Sequence, residues 1–496
     1  MPFFEEKKDV LEFEFERPNV NFLVDEQTEA IKLYKLIKRL DFRDFYKSYS
    51  QGRGAVAYKP EVLFAVIVLS ILEGTLSSRA IEKKCKRDVY YIYFTEYRKP
   101  DHSTIARFLK KFRKEITGLL PQLIRLAKEM QLSSFTTIAI DGSKFQSSSS
   151  KKHSYRMADL DKEEKQIVRR INKLMNILQE NDKLESRDEK EIKKLQAAQQ
   201  KLKSRQEKLQ TSRIELAQRQ ELISDKEHRE NHQINIAEPD ARMMMEINSN
   251  GYNVQISVDS QSGLVVNASL ESDRSDNNQF SKQHKKTEEF LGENQQRAYL
   301  SDGGYMSTKT MDYLEENQVN AYINDARQIE VIPSVEELLE RGKQIISEFF
   351  VYHKADNEYV CPNNRKLKEV KSAVYESENC RDCILKDLCT KNRELRRITR
   401  SQFTERKELM RQKVKENPEI MNQRKAVERV FGNIKWNLGF RRFSRKGFEG
   451  ASVEFIMIIL ALNIKKLMKF LLFYFKKLCS GKKKIIILNN NFCFTG

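Results

Sequence analysis

The chain has 496 residues, of which 39% are hydrophobic, so it can build a folded core and global disorder is excluded. Its formal net charge is +19, which suggests a polyanionic partner such as nucleic acid, with a merely basic protein as an equal alternative. Seven Cys, an odd number, fit a reducing compartment.

Neither a secretory signal nor a membrane span is predicted. Residues 1–16 are acidic and lack an apolar core. The longest apolar stretch, residues 451–475, is interrupted by Glu454, Asn463 and three Lys. We interpret it as a buried helix followed by a basic tail, residues 476–496, and expect a cytoplasmic protein with no membrane partner.

Residues 1–130 are predicted to form a helical domain. Pro60 suits a first helical turn, and Gly74 is expected to end the apolar helix that follows it. Asp101 is expected to cap a later helix that begins at His102. A helix, a short link and a basic helix could form a DNA-binding helix-turn-helix, with a bundle that only packs on the rest of the chain as the equal alternative.

Residues 131–154 and 229–327 are predicted to form a mixed α/β core. One apolar, β-branched run ends at Asp141 and a second ends at Asp302, so both aspartates are expected at strand ends. Two strands joined at Ser260–Gly263 and a helix are expected between the strand of Asp141 and the strand of Asp302. A further helix and a further strand are expected between Asp302 and residue 327. This order of elements is ribonuclease H-like and would place Asp141 and Asp302 on adjacent strands.

The highly charged residues 155–228 are predicted to form an inserted helical hairpin. Leucines recur every seven residues, at 195, 202, 209 and 216, which is a coiled-coil pattern. Residues 160–178 carry a second apolar stripe, and residues 181–188 would form the turn. A single long solvated helix is the alternative, but each stripe needs a partner.

A second insertion, residues 328–420, contains four cysteines. C-x2-C followed by x5-C, with one more Cys upstream, is a possible structural Zn²⁺ site, and four reduced thiols are the equal alternative. The candidate ligands are Cys361, Cys380, Cys383 and Cys389.

Residues 421–475 are predicted to carry the last site residues, in the spacing Arg424-x3-Glu428-x6-Lys435. On one helix this spacing places the three side chains on one face, a carboxylate between two cations. Two strand-end Asp and a late helical Glu are what two-metal phosphoryl transfer requires.

These motifs resemble those of the DDE transposases of bacterial insertion sequences. One branch has the signature Y-x2-R-x3-E-x6-K, which the chain matches except at Met421. Asp141-Gly142-Ser143 and Asp302-Gly303-Gly304-Tyr305 are similar to its two aspartate motifs. The resemblance implies a ribonuclease H-like catalytic domain in which Asp141 bridges two Mg²⁺ or Mn²⁺ ions. It also implies that Asp302 completes one metal site and Glu428 the other, with Glu454 as the fallback for Glu428.

The resemblance also implies a DNA-binding surface. Arg424, Lys435, Arg441 and Arg442 would contact DNA phosphates. Tyr305 and the single Trp, Trp436, could stack on an unpaired base, although for Trp436 a place in the core is the favoured expectation.

The expected function is transposition of a mobile element. The chain would bind terminal inverted repeats in double-stranded DNA, cleave them, and join the ends to target DNA as a homodimer or larger assembly associated with the nucleoid. The absence of a phosphate-binding loop sequence argues against an ATP-driven mechanism. The alternatives are a catalytically inactive transposase-derived DNA-binding protein and a nuclease without strand transfer.

Overall fold

The computed structural model describes residues 24–25, 27–49, 57–181, 189–223, 225–325, 332–390 and 395–480. These residues form an N-terminal group of helices, a central mixed sheet with helices packed on it, an extended helix pair and a second, smaller sheet. The fold class is therefore mixed α/β, as predicted.

Two of the N-terminal helices begin at the predicted residues, and the first of them also ends as predicted. Pro60 occupies the first turn of its helix, and Gly74 follows the end of that helix with a φ of +72°. The Asp101 carboxylate accepts a hydrogen bond from the backbone N–H of Thr104 at 2.6 Å and so caps the next long element. The helices are α1 (Glu29–Ile37), α2 (Arg43–Lys47), α3 (Pro60–Leu72), α4 (Ser78–Arg87), α5 (Val89–Phe94), α6 (His102–Lys111) and α7 (Arg113–Glu129).

Two helical stretches of this domain are each divided into two helices. Asp88 separates α4 from α5, because its carboxylate accepts a hydrogen bond from the backbone N–H of Tyr90 and starts a new helix. Phe112 separates α6 from α7, with a φ of −103° and a ψ of 32° that lie outside the helical range. Its ring is buried in the core.

The first eight strands are β1 (Thr137–Gln146), β2 (Ser154–Tyr155), β3 (Ile234–Asn235), β4 (Arg242–Met244), β5 (Ser249–Asp259), β6 (Val265–Glu271), β7 (Ala298–Asp302) and β8 (Ala321–Asn324). In the central sheet, β1 is antiparallel to β5 on one side and parallel to β7 on the other. β8 is parallel to β7, and both β4 and β6 pair with β5. The strands that carry Asp141 and Asp302 are thus neighbours.

The region between β2 and β3 contains α8 (Met157–Asn181), α9 (Glu189–Glu221) and α10 (Lys226–Asn231). α8 and α9 pack side by side, with Arg205 of α9 paired with Glu163 of α8. Apolar side chains of both helices form one buried cluster, which includes Leu160, Ile167, Ile171, Leu209 and Leu216. The predicted turn lies beyond Asn181, outside the described residues, and the coiled-coil geometry stays a prediction.

Helix α11 (Phe280–Leu291) links β6 to β7, and helix α12 (Thr308–Glu316) links β7 to β8. The second sheet follows them. The elements of this region are α13 (Val335–Arg341), β9 (Val351–His353), β10 (Glu358–Val360), β11 (Lys366–Lys371), β12 (Val374–Ser377), α14 (Lys386–Cys389) and β13 (Arg397–Thr399). The five strands form an antiparallel sheet in the order β13-β12-β11-β10-β9, and the region has a small hydrophobic core of its own.

The last helices are α15 (Gln402–Glu416), α16 (Pro418–Asn422), α17 (Lys425–Gly432) and α18 (Phe448–Ser480). α18 is the predicted buried helix, and it runs five residues past the predicted end at residue 475. Asn463, one of its polar residues, exchanges two hydrogen bonds with the backbone of Val265, which fixes α18 to β6. The N-terminal helices, the central sheet and α18 share one continuous hydrophobic core.

Across the part of the chain that the structure describes, no helix is long and apolar enough to cross a membrane.

Candidate active site

Asp141 and Asp302 lie opposite each other on neighbouring parallel strands. Thr137 is paired with Ala298 and Ala139 with Leu300, and the same register carried two residues further places Asp141 beside Asp302. Asp302 is the last residue of β7, as predicted. The prediction that Asp141 ends its strand is wrong, because β1 continues to Gln146 by pairing with β5.

Glu428 reaches the two aspartates through a shared cation, the Arg424 guanidinium. Arg424 immediately precedes α17, and its Nη1 donates a hydrogen bond to Glu428 Oε1 at 3.0 Å, a contact one helical turn apart. Nη2 donates to Asp141 Oδ2 at 3.2 Å and lies 3.7 Å from Asp302 Oδ2. The three carboxylates predicted as metal ligands therefore converge on one positive group.

The three carboxylates differ in their exposure. The Asp141 side chain is 16% exposed and that of Arg424 is 20% exposed, whereas Asp302 and Glu428 are 44% and 57% exposed. Burial raises the pKa of Asp141 to about 6, a shift that the Arg424 guanidinium opposes and the Asp302 carboxylate increases. The site thus has a buried carboxylate at its base and two carboxylates open to solvent.

The chemistry of this donor set fits a hard divalent cation, because Mg²⁺ and Mn²⁺ prefer oxygen ligands such as carboxylates. The convergence of three carboxylates on a guanidinium shows that a cation is stabilised between them. As the side chains stand, no group of three or more His, Cys, Asp or Glu within the described ranges is arranged to hold a metal ion. Metal binding would therefore require the Arg424 side chain to move aside.

Lys435 lies beside β1, near Asp141. The helical path changes after Gly432 into a wider turn, Asn433–Asn437, so Lys435 does not continue the ideal α-helical face. Its ammonium donates a hydrogen bond to Ser143 Oγ at 2.5 Å, two residues beyond Asp141 on β1. Burial lowers the pKa of Lys435, and the nearby Arg441 adds to that effect.

Arg441 and Arg442 follow on an exposed segment next to the site. The Arg441 guanidinium stacks 4.0 Å from the centre of the Trp436 ring. Arg442 donates hydrogen bonds to the backbone oxygens of Ser147 and Ser148, so it also holds this segment against the end of β1. Phosphate contacts of both arginines stay predictions.

The structure reverses the expectations for the two aromatic residues. The stacking role predicted for Tyr305 is wrong here, because its ring is fully buried and its hydroxyl donates to Gln255 Oε1. Trp436, expected in the core, is 75% exposed, whereas Ile434, two residues earlier in the same turn, is buried. Trp436 is thus the exposed aromatic ring beside the site.

Asp276, between β6 and α11, is a site residue that the sequence analysis missed. Its carboxylate accepts hydrogen bonds from Lys144, Asn253 and Gln255, and it contributes to the raised pKa of Asp141. It lies in a polar loop with no motif, so nothing in its local sequence separates it from the neighbouring Asp273.

Glu454, the fallback for Glu428, is not near the three carboxylates. It is buried in α18 and accepts hydrogen bonds from Ser444 and the backbone N–H of Arg445. Glu454 therefore anchors the segment that follows Arg441 and Arg442.

The four cysteines predicted as zinc ligands surround one small cavity in the second sheet region. All four are free thiols. The backbone N–H of Arg365 donates to Cys361 Sγ at 3.2 Å, and Asn363 donates to Cys383 Sγ at 3.4 Å. These thiols do not form a ligand cluster as they stand, so bound zinc stays a prediction.

The fold and the site define a mixed α/β protein in which Asp141, Asp302 and Glu428 surround the Arg424 guanidinium. Two family models match the chain, the "Transposase DDE domain" over residues 353–468 and the "Transposase domain (DUF772)" over residues 21–111. These matches are consistent with an insertion-sequence DDE transposase, the family that the motifs resemble. At the family level the DDE-domain match supports an enzyme of the polynucleotidyl-transfer or nuclease type, a family that typically uses a divalent metal.

The DDE-domain match includes Glu428 but neither aspartate. Among solved structures, the chain is similar to a piggyBac transposase in a synaptic complex with hairpin DNA, determined by cryo-EM. The identity is 11%, the alignment covers 92% of this chain and 82% of that one, and the TM-score is 0.27. The comparison with curated proteins gives no match.

Proposed function

We propose that this chain is the DNA transposase of an insertion sequence, with a ribonuclease H-like catalytic core and Asp141, Asp302 and Glu428 as its catalytic carboxylates. The single observation that carries the proposal is the convergence of these three side chains, from two adjacent strands and a late helix, on one cation. The strand order of the central sheet and the two transposase family matches support it.

Two Mg²⁺ or Mn²⁺ ions would activate the attacking oxygen and stabilise the leaving oxygen of a phosphodiester. Asp141, Asp302 and Glu428 would hold these ions, and Asp141 is the most buried of the three carboxylates. The exposure of Asp302 and Glu428 leaves room for DNA above the carboxylates.

The reaction would proceed in two displacements. First, the oxygen of water bonds to the phosphorus at the element end, the P–O3′ bond breaks, and the leaving O3′ takes up a proton. Then the freed 3′-hydroxyl oxygen bonds to a phosphorus of target DNA as its proton is released, the P–O3′ bond of the target breaks, and the leaving O3′ takes up a proton.

The chain's basic residues would hold the DNA during both displacements. Arg424, once displaced from the carboxylates, remains close enough to contact a phosphate, and Lys435 would do so beside β1. Arg441 and Arg442 extend this surface along an exposed segment. We propose that the N-terminal helices recognise the inverted repeats, and that two chains act together because two ends must be joined.

The alternatives make different predictions. A transposase-derived DNA-binding protein would bind the ends without cutting them, and a nuclease would cut without joining. No observation in the structure favours either alternative over the transposase.

The test uses the full-length chain, Mg²⁺ or Mn²⁺, and a supercoiled plasmid carrying both natural flanks of its coding region around a marker gene. We expect end cleavage and strand-transfer products from the wild type. Asp141→Ala, Asp302→Ala and Glu428→Ala should each reduce cleavage to background, while gel-shift binding to the flanks persists. Glu419→Ala, an exposed carboxylate on α16, is the matched control.

Cleavage at the wild-type level by any of the three variants would remove that residue from the site. Binding without cleavage by the wild type would support the inactive relative, and cleavage without joined products would support the nuclease.

A further inference from the structure

Asp276 is the centre of a polar network directly behind the carboxylate site. Its Oδ1 accepts hydrogen bonds from Asn253 Nδ2 at 2.7 Å and from Gln255 Nε2 at 2.6 Å. Lys144 Nζ lies 3.2 Å from Oδ1 and 3.3 Å from Oδ2. Asn253 and Gln255 are fully buried on β5, and Lys144 is on β1. One loop carboxylate therefore ties side chains of β1, the strand that carries Asp141, to side chains of its neighbour β5.

The network approaches β1 closely because residue 142 is a glycine. A Cβ at Gly142 would lie 2.6 Å from Asp276 Oδ1 and closer still to Gln255 Nε2. Any side chain at this position would push the network away from the backbone next to Asp141. The glycine after Asp141 is thus explained by the contact with Asp276.

The same network reaches the second aspartate motif. The buried Tyr305 hydroxyl donates to Gln255 Oε1, the other end of the amide that binds Asp276. A Cβ at Gly304 would lie 3.0 Å from Asp302 Oδ1 and 3.8 Å from Asp276 Oδ2. The Oδ2 atom of Asp276 consequently faces the side of the site where Asp302 lies.

We propose that Asp276 is a positioning residue for the metal-binding carboxylates. It fixes the network that supports Asp141 and Asp302, and its charge adds to the negative potential that draws divalent cations into the site. This proposal rests on the proposed function. It assigns Asp276 no contact with DNA.

The experiment titrates Mn²⁺ against the full-length chain with two readouts, thermal stabilisation without DNA and cleavage of the plasmid described above. Asp276→Asn keeps the shape and removes the charge. We expect it to raise the half-saturating Mn²⁺ concentration roughly tenfold in both readouts, because a nearby unit charge acts strongly on a divalent ion. The maximal cleavage rate should fall by less than this factor.

Lys144→Gln provides a test of opposite sign. It removes the cation that partly neutralises Asp276, so the half-saturating Mn²⁺ concentration should fall a few-fold in the stabilisation assay. If Asp276→Asn fails to fold, the half-saturating Mn²⁺ concentration of Lys144→Gln tests the proposal instead, and an unchanged value would overturn it. Asp312→Asn, on the surface of α12 and paired with Arg406, is the control and should change neither readout.

An unchanged half-saturating concentration for Asp276→Asn would overturn the proposal. So would loss of both readouts at every Mn²⁺ concentration, which would make Asp276 a direct ligand. A wild-type chain that Mn²⁺ stabilises but that does not cleave would instead contradict the proposed function, since the stabilisation assay needs no catalysis.

Discussion

Arg424 Nη2 lies 3.2 Å from Asp141 Oδ2 and 3.7 Å from Asp302 Oδ2, so one guanidinium nitrogen is shared by the carboxylates of two neighbouring strands. Like charges this close repel unless a cation lies between them. In the absence of metal the arginine fills that role. Under the proposed function, a divalent ion bound between these carboxylates would displace the guanidinium, which would then be free to contact a DNA phosphate.

Arg424→Ala should therefore destabilise the metal-free chain and make it respond more strongly to metal. Without the guanidinium the carboxylates repel one another, and we expect a loss of about 1–2 kcal/mol at pH 8. Millimolar Mn²⁺ should restore most of this loss, so the rise in melting temperature on adding Mn²⁺ should exceed that of the wild type. Arg429→Ala, exposed on the same helix, is the control. Equal Mn²⁺ responses in the wild type and Arg424→Ala would show that the arginine and the metal do not compete.

Asp141→Asn should remove activity and yet stabilise the metal-free fold at alkaline pH. The pKa of Asp141 is raised to about 6 in the folded chain, mainly by burial, whereas an exposed Asp titrates near 3.9. The ionised carboxylate therefore costs the native state up to about 3 kcal/mol above pH 6, and nothing below about pH 4, where both states are protonated. The unfolding free energy of Asp141→Asn should exceed that of the wild type at pH 8, with the difference vanishing by pH 4. Denaturant unfolding across this pH range measures it, and a constant difference would contradict the assignment.

Zinc in the second sheet region is tested by elemental analysis of the purified chain. If the four thiols close on an ion, we expect about one Zn²⁺ per chain. Cys380→Ser should then lose the metal and lower the melting temperature, while Cys85→Ala, a buried thiol on α4, should keep it. A zinc-free chain with a melting temperature unaffected by Cys380→Ser would establish the reduced-thiol alternative.

Removal of the helix pair tests its independence from the site. β2 and β3 pair directly through Ser154 with Asn235 and Tyr155 with Ile234, so the two ends of the insertion are adjacent. Replacing residues 158–226 with a short Gly/Ser linker should leave the fold and the Mn²⁺ stabilisation intact. Joining of paired ends should fall more than single-strand nicking. Loss of the fold would show that the helix pair is part of the core, and undiminished joining would show that it is dispensable.

The two strands that carry the aspartate motifs were predictable because each motif follows a short apolar run. Local sequence could not show that β1 passes beyond Asp141, since that depends on pairing with β5. Tyr305 belongs to the second aspartate motif and was expected to face DNA, but it is buried and its hydroxyl donates to Gln255, fifty residues away in sequence.

The exposure of Trp436 was not predicted, because a large aromatic side chain is more often buried and the local sequence does not show which face of its turn meets the core. Asp276 was missed for a related reason. Its partners lie on β1 and β5, far along the chain, and its loop carries no pattern that marks it.

The continuous core shared by α18, the N-terminal helices and the central sheet has an evolutionary consequence. Helices α1, α3 and α7 pack with α18, which lies far along the chain, so a crossover between related sequences that exchanged only one of these parts would join surfaces that were never selected together. If the N-terminal helices recognise element ends, as proposed, new specificity would arise by point substitution on their exposed faces rather than by exchange of a whole recognition module.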